Sequence, residues 1–317
     1  MATNLADGSG SRPETGAATP IEARVKLGFV VDPWLTLGHL QHGRWDPSVR
    51  IGREGIWRAT RTPEGLATVR LVRDGSALSV SAWGPGGGWA VVALPRLLGA
   101  EDDPDAFEPR HAVLRDLARR WRGLRFGRSD TVYEALVPAV IEQKVTGIEA
   151  SRSYRALLRR YGERAPGPVE LFVVPAPERL AGIPAYAFHP LGLEERRAET
   201  LRRVARVAPR LEAAAELPAE AALAALQAVR GVGPWTAAEA ARAAFGDPDA
   251  VSVGDFHLPH VVCWALAGEL RGDDARMLEL LEPYRGQRAR AVRLLELAGI
   301  TPPRRAPRMP IRSIARL

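Results

Sequence analysis

The chain has 317 residues, 46% of them hydrophobic and 26% charged, which is enough length and apolar content to bury a sizeable core in one or two domains. A formal net charge of +7 at pH 7 favours a polyanionic partner, either nucleic acid or an acidic membrane surface. No apolar run reaches the roughly 20 residues of a membrane span, and the opening residues lack a signal-peptide stretch, so a soluble, cytoplasmic protein is expected.

Cys263 is the single cysteine, which excludes a disulfide or a four-thiolate iron–sulfur cluster formed within the chain. Lysine is almost as scarce. Lys26 and Lys144 are the two lysines, and the other 42 basic side chains are arginines, which fork onto phosphate but make poor nucleophiles.

Residues 1–20 are rich in Gly, Ser, Thr, Ala and Pro without hydrophobic periodicity and are expected to be disordered. Residues 21–108 change character. "DPWLTLGHLQHG" predicts a short helix closed by glycine, and "GIWRATRT", "LATVRLVRD" and "ALSVSAW" predict strands separated by the turn signals Pro63-Glu64-Gly65 and Asp74-Gly75. This is a small α+β N-terminal module built on an antiparallel sheet. The glycine tract in "WGPGGGWAVV" lacks the lysine and Ser/Thr that follow in a phosphate-binding P-loop, and it is expected to be a hairpin turn.

Residues 109–300 read as a mainly α-helical domain. Segments such as "HAVLRDLARRW", "VYEALVPAVIEQKV", "RRAETLRRVARVAPRLEAAAE", "TAAEAARAAFG" and "QRARAVRLLELAG" repeat apolar residues at steps of three and four, predicting eight or more helices. The tail, residues 301–317, carries five arginines among four prolines and is expected to be a solvated basic arm.

Within the helical part, "RGVGPW" joins two predicted helices through Gly231 and Gly233. Glycines there permit a tight turn, and exposed amides where the second helix opens form a concave site for one phosphate. Pro234 suits the first helical turn, and Thr236 offers a hydroxyl. The same residues also fit a hairpin whose glycines serve only close packing. Asp255, before "FHLPHVV", fits either a helix N-cap or a carboxylate doing chemistry.

The longer string "LQAVRGVGPWTAAEAARAAFGDPDAVSVGDFHLP" resembles the helix-hairpin-helix, Gly/Pro-rich loop and aspartate motif of the HhH-GPD superfamily of DNA glycosylases. Within it, the string is similar to the bacterial 3-methyladenine DNA glycosylase II family. The likeness runs from about Ala112 to Leu297. It implies a helix-hairpin-helix glycosylase domain acting on damaged duplex DNA as a monomer, with no membrane partner, in base excision repair.

Residue by residue, the resemblance makes Asp255 the catalytic carboxylate and places Trp235, Glu239 and Arg293 at the base pocket, with Tyr284, beside Tyr186 and Phe188, a candidate replacement aromatic there that no motif positions. Glu239 and Arg293 stand where the family has aromatic residues. Gln143, Lys144, Thr146, Gly231, Gly233 and Thr236 are expected at the DNA, with Lys144 at the position of the wedge that fills the gap left by an extruded nucleotide. A structural Na+ or K+ held by the main-chain carbonyls of Gln227, Val229 and Gly231 is implied as well, while no cofactor is required and no iron–sulfur cluster is expected. Trp235 occupies the position where lyase-active relatives carry a lysine, which favours water as the nucleophile. Two alternatives stand beside this reading: a non-catalytic helix-hairpin-helix DNA-binding protein, and a bifunctional glycosylase/lyase using Lys144.

Overall fold

The computed structural model describes residues 19–303; residues 1–18 and 304–317, which hold most of the expected disordered segment and basic arm, lie outside the described residues. After β1 (Ile21–Val25), Asp32 caps a one-turn helix, α1 (Pro33–Leu37), its carboxylate accepting from the amides of Trp34 and Leu35. Four strands follow: β2 (Val49–Gly52), β3 (Gly55–Thr62), β4 (Gly65–Asp74) and β5 (Ala77–Trp83). They pair antiparallel in the order β1-β5-β4-β3-β2.

The glycine tract is not a hairpin turn. It opens α2 (Gly87–Leu97), which lays Ala90, Leu94 and the following Leu98 on Ile56, Leu71 and Val80 of the sheet. The chain turns just before it, with Gly84 in the left-handed region at φ +92° and Gly86 too close to Thr62 and the Gly65 carbonyl for any side chain. The apolar run that follows then decides for a helix, because only a helix brings its residues onto one face toward the sheet.

Helices α3 (Ala112–Arg120), α4 (Val132–Ile141) and α5 (Gly147–Tyr161) begin the helical part. A two-strand ribbon of β6 (Glu163–Arg164) and β7 (Phe172–Val173) then packs Ala165, Leu171 and Val173 against Ala59 of β3. The remaining helices are α6 (Pro177–Gly182), α7 (Glu195–Arg206), α8 (Ala208–Glu212), α9 (Ala219–Gln227), α10 (Pro234–Ala244), α11 (Leu258–Ala267), α12 (Asp274–Leu281) and α13 (Arg288–Leu297). The single helical stretch expected from "RRAETLRRVARVAPRLEAAAE" is two helices, because Pro209 has no amide to continue the ladder of α7.

Helix α4 is the axis of the larger helical core, with Leu136, Val137 and Val140 fully buried. Helix α10 lies against it through Ala237, Ala240 and Ala244, also fully buried, so small side chains bring the two helices close. A second cluster, around Leu114, Val262, Leu281 and Leu295, joins α3 to α11, α12 and α13. Helix α10 and the loop after it therefore run from one core to the other, and the sheet module packs alongside both.

Candidate active site

The hairpin between α9 and α10 is built as its glycines suggest. Gly231 has φ +102°, and a Cβ there would collide with the Thr200 side chain of α7. Val232 is buried beneath the turn, and its amide donates to the Val229 carbonyl at 2.9 Å. Gly233 meets nothing within 4 Å of where a Cβ would sit, so its missing side chain leaves the opening of α10 uncovered.

Three of the residues expected at the DNA make hydrogen bonds within the protein. The side-chain amide of Gln143 donates to the Gly231 carbonyl at 2.9 Å and to Thr236 Oγ1 at 2.8 Å, pinning the hairpin to the end of α4. Thr236 is buried and its hydroxyl faces inward. Thr146 caps α5, its hydroxyl donating to Glu149 at 2.7 Å. Gly231 and Lys144 do reach the surface, and Lys144 is held in the left-handed region at φ +54°.

The two readings of Asp255 are not alternatives. Its Oδ1 accepts from the amides of His257 at 2.7 Å and Leu258 at 2.8 Å, capping the start of α11. Its Oδ2 accepts from the indole Nε1–H of Trp235 at 2.9 Å. The positive end of α11 and three donors thus hold a half-buried carboxylate in one orientation. The two amides use both lone pairs of Oδ1, whereas Oδ2 keeps one lone pair for a ligand.

One turn beyond Trp235 on the same helix, Glu239 lines a cavity of about 370 Å³ between the sheet module and the helices. Its other walls include His39 and His42 from the segment after α1, Glu142 at the end of α4, Tyr154 of α5 and Arg242 of α10. Glu239 is paired with Arg242 and accepts from Ser252 Oγ. Trp235, Asp255 and Arg293 do not line the cavity; Arg293 lies close to Gly38 and is paired with Glu296 at 3.2 Å. Tyr284 is elsewhere, buried in the second helical core against Phe107 with its hydroxyl bonded to His111. Its chain position after α12 puts it under α3, which is a correction to its expected place at the base pocket.

The two histidines of the cavity are pushed in opposite directions. His39 is driven down to about 3, by burial first and then by the charges of Arg293 and Arg242, and its Nδ1 bonds the Thr36 carbonyl at 2.8 Å. For His42, burial works against the charged form, but the bond to Glu142 at 3.0 Å and the charges of Glu142, Asp46 and Glu239 outweigh it and raise its pKa. Neither histidine was singled out by sequence, since "LGHLQHG" reads only as the close of a short helix. Tyr154 was equally hidden, because it falls on the apolar face of α5.

Two of the three carbonyls expected to hold a monovalent cation already have uses: that of Val229 accepts from Val232, and that of Gly231 from Gln143. Each keeps a second lone pair, so oxygen donors of the right chemistry remain at the turn.

The chain shares its fold with solved DNA glycosylases. Within that class the chain is similar to the 3-methyladenine glycosylases. A stretch of 117 residues is 32% identical to DNA-3-methyladenine glycosylase 2 of Escherichia coli strain K12, covering 36% of this chain and 42% of that protein, so the match spans under half of the curated relative. The solved structure of the 3-methyladenine DNA glycosylase from Archaeoglobus fulgidus superposes with a TM-score of 0.73 at 21% identity, over 87% of this chain and 97% of that one. An 8-oxoguanine glycosylase/lyase from Clostridium acetobutylicum bound to double-stranded DNA gives a TM-score of 0.58 at 14% identity, over 78% and 96%. No family model matches the chain.

Proposed function

We propose that this protein is a monofunctional DNA glycosylase of base excision repair that draws an alkylated base of the 3-methyladenine type from duplex DNA into the cavity beside Glu239. It hydrolyses the N-glycosidic bond with Asp255 as the catalytic carboxylate. The observation that carries the reading is the fixed orientation of Asp255, with its one uncommitted lone pair on Oδ2.

Cleavage of the bond develops positive charge on the deoxyribose, and a carboxylate fixed in advance stabilises that charge without reorganising. The same group orients or deprotonates the water that adds to C1′. The cavity wall carries the carboxylates of Glu142 and Glu239, each of them paired, with His42 and with Arg242. The uncovered amides at Gly231 and Gly233 would grip one phosphate, with a cation on the hairpin carbonyls adding positive charge there. Lys144, exposed and held in a left-handed conformation, would fill the space left by the extruded nucleotide. Trp235 contributes no amine, so water remains the nucleophile.

The test is single-turnover release of 3-methyladenine from alkylated duplex DNA. Asp255→Asn keeps an acceptor for the two amides of α11 but loses the charge, and release is expected to fall by about 10²–10⁴-fold with melting temperature and duplex affinity retained. A folded, DNA-binding variant that releases base at the wild-type rate removes Asp255 from the chemistry. A wild-type protein that binds duplex without releasing any base supports the non-catalytic alternative.

A further inference from the structure

The segment from Val251 to Asp255 leads into α11 and is fastened along its length. The Val253 amide donates to the Val251 carbonyl at 2.9 Å, and the Asp255 amide to the Ser252 carbonyl at 3.2 Å. Ser252 is buried, and its hydroxyl donates to Oε1 of Glu239. The other oxygen of Glu239 accepts from Arg242, whose guanidinium also lies 3.8 Å from Glu296 of α13. Two residues beyond Ser252, Gly254 has φ +90°, and its amide donates to both carboxylate oxygens of Asp274, the first residue of α12, at 3.1 and 3.2 Å.

Glu239 stands one turn after Trp235, whose indole donates to Oδ2 of Asp255. Helix α10 therefore reaches the segment twice, at the carboxylate of Asp255 and at Ser252, whose carbonyl takes the amide of Asp255. Helix α12 adds a third point at Gly254. That point matters because a glycine has the widest choice of backbone angles, so the residue just before Asp255 is where the segment would swing if its amide were released. Glu239 lines the cavity, yet each of its oxygens already holds a partner within the wall. The residue that replaces an expected aromatic at the base pocket is thereby an anchor for the segment that carries Asp255.

We propose that Glu239, through Ser252, and Asp274, through Gly254, are positioning residues for Asp255. They act by holding the segment that presents the carboxylate, not by contact with the reacting atoms. The proposal rests on the glycosylase reading above, with Asp255 as its catalytic carboxylate. A reacting group displaced by about 1 Å loses on the order of 100-fold in rate, so small movements of this segment carry a measurable penalty.

The experiment measures single-turnover release of 3-methyladenine from alkylated duplex DNA, beside thermal melts and duplex titrations. Ser252→Ala removes the hydroxyl and leaves the Glu239–Arg242 pair in place; release should fall by about 10–100-fold with melting temperature and duplex affinity close to wild type. Asp274→Ala frees the Gly254 amide and should lower the rate by about 10-fold, whereas Asp274→Asn keeps an acceptor there and should stay within about threefold of wild type. The deciding comparison adds Ser252→Ala or Asp274→Ala to Asp255→Asn. Once the charge at position 255 is gone its placement has nothing left to lose, so the further loss should be under about twofold. Asp274 is only half-buried, so Asp274→Ala keeps the test open if Ser252→Ala does not fold.

Single variants that release base at the wild-type rate, an Asp274→Asn protein as slow as Asp274→Ala, or the same loss with and without the charge of Asp255 would overturn the proposal and leave the glycosylase reading standing. Wild-type release by Asp255→Asn alone, or no release by the wild type, would overturn both.

Discussion

Asp255 works as a cap and as a candidate catalytic carboxylate with the same atoms, and the two roles reinforce each other. The amides of His257 and Leu258 fix Oδ1, so the plane of the carboxylate is set in advance of any ligand. Trp235 then sets the other oxygen. Trp235→Phe keeps an aromatic ring but removes the donor to Oδ2, and a hydrogen bond to a charged group contributes about 1.5–3 kcal/mol. Base release is expected to fall by roughly 10–100-fold while duplex affinity stays nearly the same, read by single-turnover kinetics beside a binding titration. Equal losses in both would make the tryptophan a DNA contact instead. At this scale the sequence was readable where one motif holds the residues together, as for Trp235 and Asp255. It was unreadable where pairing is long-range: His42 meets Glu142 across 100 positions, and Tyr284 meets His111 across 173.

The hairpin shows how much an element can be read from its glycines, since Gly231 and Gly233 prove to have different physical reasons. Gly231 needs both its left-handed backbone and the close approach to Thr200. Gly231→Ala should destabilise the protein by about 1–3 kcal/mol, lowering the melting temperature. Gly233→Ala meets nothing in the protein and should cost under about 1 kcal/mol in stability, yet it places a methyl over the opening of α10 and should weaken duplex binding. Comparing thermal melts with titrations at fixed salt separates the two, and a Gly233→Ala protein binding duplex as the wild type does would leave the phosphate grip without support. The periodic helices were legible for the same local reason, because burial follows the apolar stripe. Helix α2 was not, since its glycine-rich start imitates a turn and only the sheet beneath it decides the outcome. The ribbon of β6 and β7 is too short to carry a periodic signal and exists by packing on β3.

Across the whole molecule, the candidate site depends on the sheet module staying docked, because His39 and His42 come from that module while Glu142, Glu239 and Arg242 come from helices. One buried ion pair joins the two parts near the second helical core. Asp102, its side chain wholly buried, pairs with Arg290 of α13 and accepts from the Phe126 amide at 3.0 Å. Arg290 also bonds Gln287 at 2.6 Å and the Leu124 carbonyl at 3.3 Å, and its guanidinium lies 4.9 Å from the Phe126 ring. Both charges are compensated, so the pair as a whole has little net worth, but removing one partner strands the other in a dry interior. Asp102→Ala should therefore cost about 3–5 kcal/mol in denaturant unfolding. Asp102→Ala combined with Arg290→Met, which removes both charges and restores apolar volume, should recover a large part of that loss. The double variant should also regain base release, because docking, not the charges themselves, keeps the two sides of the cavity together. A double variant no more stable than Asp102→Ala would mean that the pair holds the two parts together by its own attraction, and that the cavity wall is maintained electrostatically.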